Sequence, residues 1–493
     1  MATTLDADLC IIGGGSGGLA LAAGAAQMGA KTVLIEAGKM GGDCLNYGCV
    51  PSKAMIAAGH AAHVMRHAGQ FGIKGPSDGS GPTVGSGPTA GSGHEPEIDF
   101  KGVHDHIHGV IGAIAPHDSV ERFEGLGVTV LQERARFLSA TEIEAGDTKV
   151  QARRFAIATG SSPVVPPIPG LADVPHDTNE TIFDNQVAPS HLIVIGGGPI
   201  GSELAQAHCR LGAEVTIVDM GPVLPKDDPE MTAVVRAQMA ADGIVLKERV
   251  KVQKVEAAGN GIVVTIEEES GETVKIEGSG ILVATGRAAN VEGLNLEAAG
   301  VDYDRRGIKV DARLRTSNKR IYALGDVTGG FQFTHVAGYH AGIVIQNALF
   351  RLPSKVSYKA LPWVTYTDPE LAHVGMTESE ADEKGLTASV LRWSFEENDR
   401  AQAERRTDGK IKVVVGSWGK VLGATIVGAH AGELILPWVL AINQGIKIKA
   451  MASVIAPYPT LSEVNKRAAG SYFTPKLFSD RTRWLVRFLA RFG

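Results

Sequence analysis

Two cysteines, Cys44 and Cys49, lie five residues apart in the stretch Gly-Gly-Asp-Cys-Leu-Asn-Tyr-Gly-Cys-Val-Pro-Ser-Lys at 41–53. A bond between them needs an irregular turn, which the flanking glycines allow. Closing so small a loop contributes little as a structural staple, and a zinc site would need two more ligands that no second Cys pair supplies. The pattern therefore predicts a reversible disulfide/dithiol couple. Cys10 and Cys209 fall on a predicted strand and helix and are expected to be small buried residues.

A Gly-rich turn between a short apolar strand and an Ala/Leu-rich helix occurs twice in the chain. Each copy continues into a β-branched strand that ends in an acid, Glu36 in the first copy and Asp219 in the second. This order is the βαβ dinucleotide fingerprint: its glycines permit a tight turn, close approach of a pyrophosphate, and packing of helix against strand. These glycines are Gly13, Gly15 and Gly18 in the first copy and Gly196, Gly198 and Gly201 in the second.

The doubled fingerprint predicts two nucleotide sites and electron transfer between two cofactors. In each site the helix N-terminus meets the phosphate charge, and the acid accepts hydrogen bonds from ribose hydroxyls. Asp219 is followed by Met-Gly-Pro, without a neighbouring Arg or Lys to receive a 2′-phosphate, which the acid would also repel. The second site is therefore predicted to prefer NADH over NADPH.

Length and composition limit the class of protein. At roughly 100–200 residues per domain, 493 residues predict three or four domains, and an apolar content of 44% supports sizeable cores. The formal net charge of −6 argues against nucleic acid as a partner. No apolar stretch approaches the ~20 residues that span a bilayer, the chain opens without a signal-peptide pattern, and cysteines are few. We expect a cytoplasmic protein, and no cluster of metal ligands.

The chain resembles the flavin-dependent pyridine nucleotide–disulfide oxidoreductases, which include glutathione reductase, dihydrolipoamide dehydrogenase and mercuric reductase. The Cys44/Cys49 stretch carries the resemblance. It is joined by paired Ala-Thr-Gly segments at 158–160 and 284–286, Leu-Gly-Asp at 324–326, Thr-Asp-Pro at 367–369 and Ala-Gly-Glu at 431–433. The implied architecture is α/β, with two Rossmann-like dinucleotide-binding domains, for FAD and NAD, and a C-terminal α+β dimerisation domain.

The implied domain order is a split FAD domain with an inserted NAD domain. We expect the first FAD-binding part at 1–165, with a flexible Gly/Ser/Pro insertion at 75–93. The NAD(P)-binding domain is expected at 166–286, the second FAD-binding part at 287–355, and the dimerisation domain of a homodimer at 356–493.

The resemblance also implies roles for individual residues. Cys49 is the thiol against the flavin and Cys44 the exposed thiol that meets the substrate, while Lys53 and Glu203 form a pair beside the flavin. FAD would occupy the first site and NADH the second. Further residues implied in cofactor binding are Glu36 on the adenosine ribose, Asp326 on the ribityl chain, and Gly42, Thr159, Gly160, Gly286 and Gly325.

One segment departs from the disulfide reductases, whose His-Pro-Thr-x-x-Glu supplies an acid/base from the partner subunit. Here it reads Tyr-Pro-Thr-Leu-Ser-Glu, from Tyr458 to Glu463. Phenol titrates near 10 and imidazole near about 6.5, so Tyr458, oriented by Glu463, is a poor proton shuttle at neutral pH. Mercuric reductases also carry a Tyr in this region, although their C-terminal Cys pair is missing from the ending Leu-Ala-Arg-Phe-Gly at 489–493.

These observations predict an NADH-dependent flavoprotein reductase that passes electrons through Cys44 and Cys49 to a metal ion, a small disulfide or a quinone. The alternatives are a dihydrolipoamide dehydrogenase-type disulfide reductase and a low-turnover flavin redox sensor or scaffold. The basic amphipathic tail between Phe478 and Phe492 is expected to dock on the dimer, or to attach to an anionic membrane or a partner protein.

Overall fold

The computed structural model describes residues 3–73, 95–259 and 261–492, so the predicted insertion at 75–93 lies outside the described residues. The chain forms two compact units. The first combines Met1–Gly196, Arg210–Glu214 and Lys251–Val356, and the second combines Gly197–Cys209, Val215–Val250 and Ser357–Gly493. The segment predicted as the NAD domain, 166–286, therefore contributes to both units.

The described residues form strands and α-helices in which both parallel and antiparallel strand pairs occur. The strands are β1 (Thr3–Ile12), β2 (Thr32–Ile35), β3 (Val128–Leu131), β4 (Ala135–Phe137), β5 (Glu142–Ala145), β6 (Thr148–Ile157), β7 (Ser161–Pro163), β8 (His191–Ile195), β9 (Glu214–Asp219), β10 (Val245–Glu248), β11 (Lys251–Ala258), β12 (Gly261–Glu267), β13 (Thr273–Gly278), β14 (Gly280–Val283), β15 (Arg287–Ala289), β16 (Tyr303–Asp304), β17 (Gly307–Ile308), β18 (Ile321–Ala323), β19 (Pro362–Thr365), β20 (Glu370–Gly375), β21 (Thr387–Ser394), β22 (Lys410–Gly416) and β23 (Val421–Gly428). The helices are α1 (Ser16–Gln27), α2 (Gly42–Asn46), α3 (Cys49–His67), α4 (Phe100–Ile114), α5 (Val120–Gly125), α6 (Pro199–Arg210), α7 (Pro229–Ala241), α8 (Thr334–Ala348), α9 (Glu378–Glu383), α10 (Asp399–Glu404), α11 (Ala431–Leu434), α12 (Leu436–Gln444), α13 (Ile448–Ser453), α14 (Glu463–Ser471), α15 (Thr474–Leu477) and α16 (Asp480–Leu489).

The first unit is built on a sheet of order β3-β2-β1-β6-β5-β4, with β18 paired to β6. Strands β2, β1, β6 and β18 run parallel, as the predicted first βαβ unit requires. Successive residues of β1 point to opposite faces, so Cys10 and Ile12 join one buried cluster while Leu9 and Ile11 join another with α1 and α8. Both faces of β1 are therefore covered, which explains its continuous apolar run and the full burial of Cys10.

The second copy of the fingerprint also forms the predicted elements. Strand β8 leads through a Gly-rich turn into α6 and then β9. Within the first unit β8 pairs in parallel with β14, and within the second β9 pairs in parallel with β10. The first predicted βαβ unit is confirmed in its order and direction, and the second in the order of its elements.

The C-terminal part of the second unit is an antiparallel sheet of order β19-β20-β23-β22-β21. Its buried face packs against α12 and α14 around Trp438, whose indole Nε1–H donates to Asn465 Oδ1 at 2.7 Å. This arrangement confirms the predicted α+β character of the C-terminal part. The chain then continues into α15 and α16, and α16 is exposed along nearly its whole length. Within residues 3–73, 95–259 and 261–492, no helix combines the length and apolar character needed to cross a membrane.

Candidate active site

The Gly-rich turns after β1 and β8 each pack against one of the paired Ala-Thr-Gly segments. Gly13 and Gly196 have φ of 109° and 113°, which a side chain rarely adopts. A Cβ on Gly13 would collide with the carbonyl oxygen of Ala158, and a Cβ on Gly196 with that of Ala284. Each Ala-Thr-Gly segment thus lies in close contact with the Gly-rich turn of its own copy. This contact explains why the Gly-rich turn and the Ala-Thr-Gly segment occur together in both copies.

The two strand-end acids hold these turns through their backbone amides. The carboxylate of Glu36 accepts hydrogen bonds from the N–H groups of Gly14 and Gly38. Asp219 accepts in the same way from Gly197 at 2.6 Å and Gly221 at 2.7 Å. A carboxylate has further lone pairs for ribose hydroxyls, so both acids lie where the fingerprint predicts them.

The N-terminus of α1 is shaped to receive a phosphate. Its N-cap is Gly15, which provides no side-chain oxygen to the first-turn N–H groups. Gly42 approaches this turn so closely that a Cβ on it would lie 2.7 Å from the Cα of Gly15. The first-turn N–H groups of α1 are therefore free of a side-chain cap, and the two glycines leave space in front of them. Such a site fits the pyrophosphate of FAD.

Cys44 lies in the short helix α2, and Cys49 is the first residue of α3. Both are free thiols, and a side-chain hydrogen bond joins them. The Cys49 Sγ lies 3.3 Å from the Oγ1 of Thr334, the first residue of α8. Cys49 is the more exposed of the two and Cys44 is half-buried, which is the reverse of the exposure implied by the family resemblance.

The two thiols have opposite electrostatic environments. Hydrogen bonding from Cys44 lowers the pKa of Cys49 to about 6, against a smaller effect of burial and with help from Thr334 and from the charge of Lys53. The same hydrogen bond and burial raise the pKa of Cys44. The helix N-terminus also favours a negative charge at Cys49. Cys49 therefore carries the more acidic thiol of the pair, and the thiolate form is favoured there at neutral pH.

A cavity of about 400 Å³ opens beside Cys44. Its walls are largely apolar, and its charged residues are Asp118 and Arg122; burial raises the pKa of the Asp118 carboxyl. Cys44 is one of the residues that line this cavity. The other lining residues are Ser16, Leu19, Ala20, Ala23, Gly41, Leu45, Val50, Ile114 and Phe123.

A polar network connects Asp326 with the residue that precedes Cys44. Asp326 accepts a hydrogen bond from Ser161 Oγ at 2.7 Å, and burial raises the pKa of its carboxyl. Arg287 donates to Ser161 Oγ at 2.8 Å and to Asp43 Oδ1 at 2.9 Å, and Asn179 also donates to Asp43. Of this network, the sequence motifs predict Asp326 and do not predict Asp43, Ser161, Asn179 or Arg287. Arg287 directly follows the second Ala-Thr-Gly segment, and that position is the signal that could have drawn attention to it.

The remaining nucleotide-site residues lie on the connections around these segments. Thr159 Oγ1 donates to the Asn290 carbonyl at 2.7 Å, and the Gly160 carbonyl accepts from the Asn290 N–H at 3.0 Å. Gly325 begins a 3₁₀ turn and donates its N–H to Nδ1 of buried His340, whose pKa burial lowers to about 4. His340 is thus a neutral acceptor at physiological pH, and it is another contributor that sequence reasoning missed.

Three predicted catalytic residues lie in the second unit. Glu203 is buried on α6 and accepts a hydrogen bond from the Tyr366 N–H at 2.9 Å. The Tyr458 side chain is exposed, and its hydroxyl donates to Asp399 at 2.8 Å. The expectation that Glu463 orients this phenol is not met, because Asp399 holds the hydroxyl and the Glu463 carboxylate lies 3.8 Å from the Arg467 guanidinium.

Comparisons with known proteins match nearly the whole chain. The model of the pyridine nucleotide-disulphide oxidoreductase family matches residues 7–341, and that of its dimerisation domain matches residues 361–469. The mercuric reductase of Staphylococcus aureus is 36% identical over 94% of this chain and 82% of its own length. The dihydrolipoyl dehydrogenase of Thermus scotoductus is 35% identical over 94% of this chain and 96% of its own.

A solved structure with a similar fold is the Cu(II) complex of the HOCl-induced flavoprotein disulfide reductase RclA from Escherichia coli. It is 25% identical, with a TM-score of 0.81, and the match covers 93% of this chain and 98% of RclA.

Replacement of Thr334 by Val tests the thiolate at Cys49. The lowered pKa means that the thiolate is present above about pH 6 and is lost as the pH falls through that value. Without the Thr334 hydroxyl, which stabilises the charged form, we expect the pKa of Cys49 to rise by about one unit. The measurement is the pH dependence of iodoacetamide labelling of Cys49 in the dithiol protein, followed by peptide mass spectrometry.

The matched control is Thr129→Val, at an exposed position on β3. It should leave the labelling midpoint at its wild-type value. A Thr334→Val protein with an unshifted midpoint would show that this hydroxyl does not stabilise the thiolate.

Proposed function

The chain belongs to the pyridine nucleotide-disulphide oxidoreductase family, and we propose that it is an FAD-dependent, NADH-oxidising reductase that acts on a thiol-bound soft metal ion such as Hg(II). The observation that carries the proposal is the asymmetric thiol pair. Cys49 has a pKa of about 6, and Cys44 borders a cavity from which an acceptor can approach. A scaffold or sensor with low turnover needs neither feature.

The reaction transfers two electrons, so that NADH and Hg(II) give NAD⁺, elemental mercury and one proton. FAD, when bound, supplies the two-electron relay between the nicotinamide and the Cys44/Cys49 pair. The residues that would hold it are the α1 N-terminus for the pyrophosphate, Glu36 for the ribose and Asp326 for the ribityl chain. Lys53 and Thr334 stabilise negative charge at Cys49, while Cys44 receives the metal ion from the cavity.

Tyr458 favours a metal acceptor over a disulfide. Its hydrogen bond to Asp399 raises the pKa of the phenol above its usual value, so the hydroxyl stays protonated at neutral pH. Disulfide exchange requires a group that protonates the leaving thiol and can recover the proton. A soft metal ion held by thiolates needs no such group, because no thiol has to leave protonated.

A dihydrolipoamide dehydrogenase-type activity is the second candidate. The cavity beside Cys44 is lined mainly by aliphatic and small side chains, which suit an apolar acceptor such as lipoamide or a quinone. The dihydrolipoyl dehydrogenases are as similar to this chain as the mercuric reductases, at 34–36% identity. The acceptor therefore has to be distinguished by experiment.

The proposed working form is a homodimer in the cytoplasm. The match to the family's dimerisation domain over residues 361–469 supports the dimer. A reducing compartment suits a cysteine pair that cycles between dithiol and disulfide.

The proposal predicts that both active-site cysteines are needed for metal reduction. Cys44→Ser and Cys49→Ser should each reduce Hg(II)-dependent NADH oxidation to background, because a single thiol can neither form the disulfide nor hold the ion between two thiolates. Both proteins should still bind FAD, since the Gly-rich turn and Glu36 are unchanged. The measurement is NADH consumption by the FAD-loaded protein with a panel of Hg(II), lipoamide, glutathione disulfide and a soluble quinone.

Cys209→Ser is the matched control, because this thiol donates to the Asp242 carbonyl at 3.2 Å and a serine hydroxyl can do the same. It should retain full activity. If Cys49→Ser reduces Hg(II) as fast as the wild type, the dithiol is not on the route, and a wild type without turnover on any acceptor would favour the sensor.

Replacement of Tyr458 by His should increase the activity of the protein on disulfide acceptors. An imidazole exchanges protons near neutral pH, and general acid/base catalysis typically contributes ~10²–10⁴-fold. We expect kcat/KM for lipoamide to rise by about 10²-fold. Tyr458→Phe is the control: it lacks the hydroxyl but adds no base, so its lipoamide activity should stay at the wild-type level. Equal lipoamide activity in the His and Phe variants would show that proton transfer at this position does not limit the reaction.

A further prediction concerns the nicotinamide nucleotide. Asp219 supports NADH, but the structure also places Arg249 beside the loop that follows it, with its backbone N–H 3.3 Å from the Gly221 carbonyl. We expect kcat/KM for NADH to exceed that for NADPH at least roughly tenfold, because the Asp219 carboxylate repels a 2′-phosphate. Arg249→Ala should leave NADH use unchanged and reduce the remaining NADPH use.

Flavin reduction followed by stopped flow with each nucleotide measures this preference. Arg305→Ala, at an exposed position in the first unit, is the control for loss of one positive charge. Reduction by NADPH that equals or exceeds reduction by NADH would contradict the assignment.

A further inference from the structure

We propose that the C-terminal tail helix, defined as α16 with the following turn through Phe492, docks on an anionic lipid surface. Residues 470–493 lie beyond both matched segments of the family, which end at 341 and 469. The tail helix is thus additional to the shared redox and dimerisation segments, and neither the nucleotide sites nor the thiol pair uses it.

One side of the tail helix is a continuous apolar surface. The rings of Trp484 and Phe488 stack with centroids 5.4 Å apart, and Phe488 meets Phe492 at 5.2 Å. At 100° per residue, Leu485 and Leu489 fall on the same side. All five side chains are exposed, with Trp484 at 63% and Phe492 at 74%. An apolar surface of this kind indicates a binding partner.

The side of the tail helix next to this apolar surface is basic. Arg483, Arg487 and Arg491 follow one another on it at intervals of four residues, while Arg481, near the N-terminus, falls on the apolar side. Within the described part of the chain, the ion pair of α16 is that of Arg483 with Asp480, at 3.4 Å. The tail is therefore strongly positive in a chain whose net charge is −6.

An anionic bilayer satisfies both sides of this helix at once. Its hydrocarbon boundary accepts the Trp, Phe and Leu side chains, and its phosphate groups accept the arginines, which is the composition of helices that lie in the membrane interface. Ten residues of α-helix extend only about 15 Å, half of what a bilayer core requires. The helix would therefore lie in the plane of the interface and bring the reductase to the membrane without spanning it.

The test uses the FAD-loaded, full-length protein and sedimentation with vesicles. Vesicles made from a three-to-one mixture of phosphatidylcholine and phosphatidylglycerol should bind the protein. Vesicles of phosphatidylcholine alone should bind at least roughly tenfold more weakly, and high salt should release the protein from the anionic vesicles. The Trp484 emission should shift to shorter wavelength on binding, as read from the difference between wild type and Trp484→Phe.

Two double variants separate the contributions of the two sides. Trp484→Ser with Phe488→Ser should abolish binding by removing the aromatic stack. Arg487→Gln with Arg491→Gln should weaken it by about 30-fold, from two lost attractions to the anionic surface. Trp418→Ser is the matched control, because Trp418 is 89% exposed and lies outside the tail. All variants should keep the NADH-oxidising activity of the wild type.

A different binding partner of the tail helix would give different results in these experiments. If the Trp484/Phe488 variant changes the elution volume in size-exclusion chromatography, the apolar side contacts a second copy of the chain and the lipid proposal is wrong. Failure of the wild type to bind anionic vesicles, or binding that the double variants leave unchanged, also overturns it. Because none of these measurements depends on the electron acceptor, they stand apart from the test of the reductase function.

Discussion

The close contact between two glycine segments determines the geometry of the redox centre. Gly42 adopts a φ of 59° and lies against Gly15. A Cβ on Gly42 would come within 2.7 Å of the Gly15 Cα. The adjoining Gly41 donates its N–H to the Gly14 carbonyl at 2.9 Å. The turn that is shaped for a pyrophosphate is thereby joined to the segment that carries Cys44. Larger residues at these positions would force the two segments apart.

The electrostatics of the thiols follow from this placement. α2 ends at Asn46 and α3 begins at Cys49, so Cys49 lies at a helix N-terminus, where a negative charge is favoured. Thr334, at the start of α8, contributes the nearest hydroxyl. The carboxylate of Asp43 acts against both thiolates, and its ion pair with Arg287 at 2.9 Å offsets that charge.

The fold and the core of the site could be predicted because their signals are local in sequence. The βαβ units, their acids and the cysteine pair each occupy a short stretch with a fixed spacing. The structure forms the predicted strand–turn–helix–strand elements, whereas the exposure of the two cysteines is the reverse of the expected one. Thr334 could not be found in this way, because it lies 285 residues from Cys49 and a lone threonine has no characteristic pattern. Asn179 and Arg287 likewise acquire their roles only when distant segments pack together.

Neighbours that the sequence did not predict have a similar origin. The expected partner of Tyr458 was Glu463, five residues later, whereas the hydroxyl binds Asp399, which is 59 residues earlier in the chain. The region after Asp219 contains no neighbouring cation in sequence, yet β10 pairs with β9 and brings Arg249 next to that loop. In both cases the pairing and packing of elements, which the local sequence does not specify, decide which residues lie side by side.

The most direct test of the account compares two acceptors on the same preparation of FAD-loaded wild-type protein. The measurement is kcat/KM with NADH for thiol-complexed Hg(II) and for lipoamide at neutral pH. A protonated phenol at position 458 predicts a value for Hg(II) that is at least roughly 10²-fold higher, the lower range of what general acid/base catalysis contributes. A value for lipoamide equal to or above that for Hg(II) would contradict the account and identify the chain as a disulfide reductase.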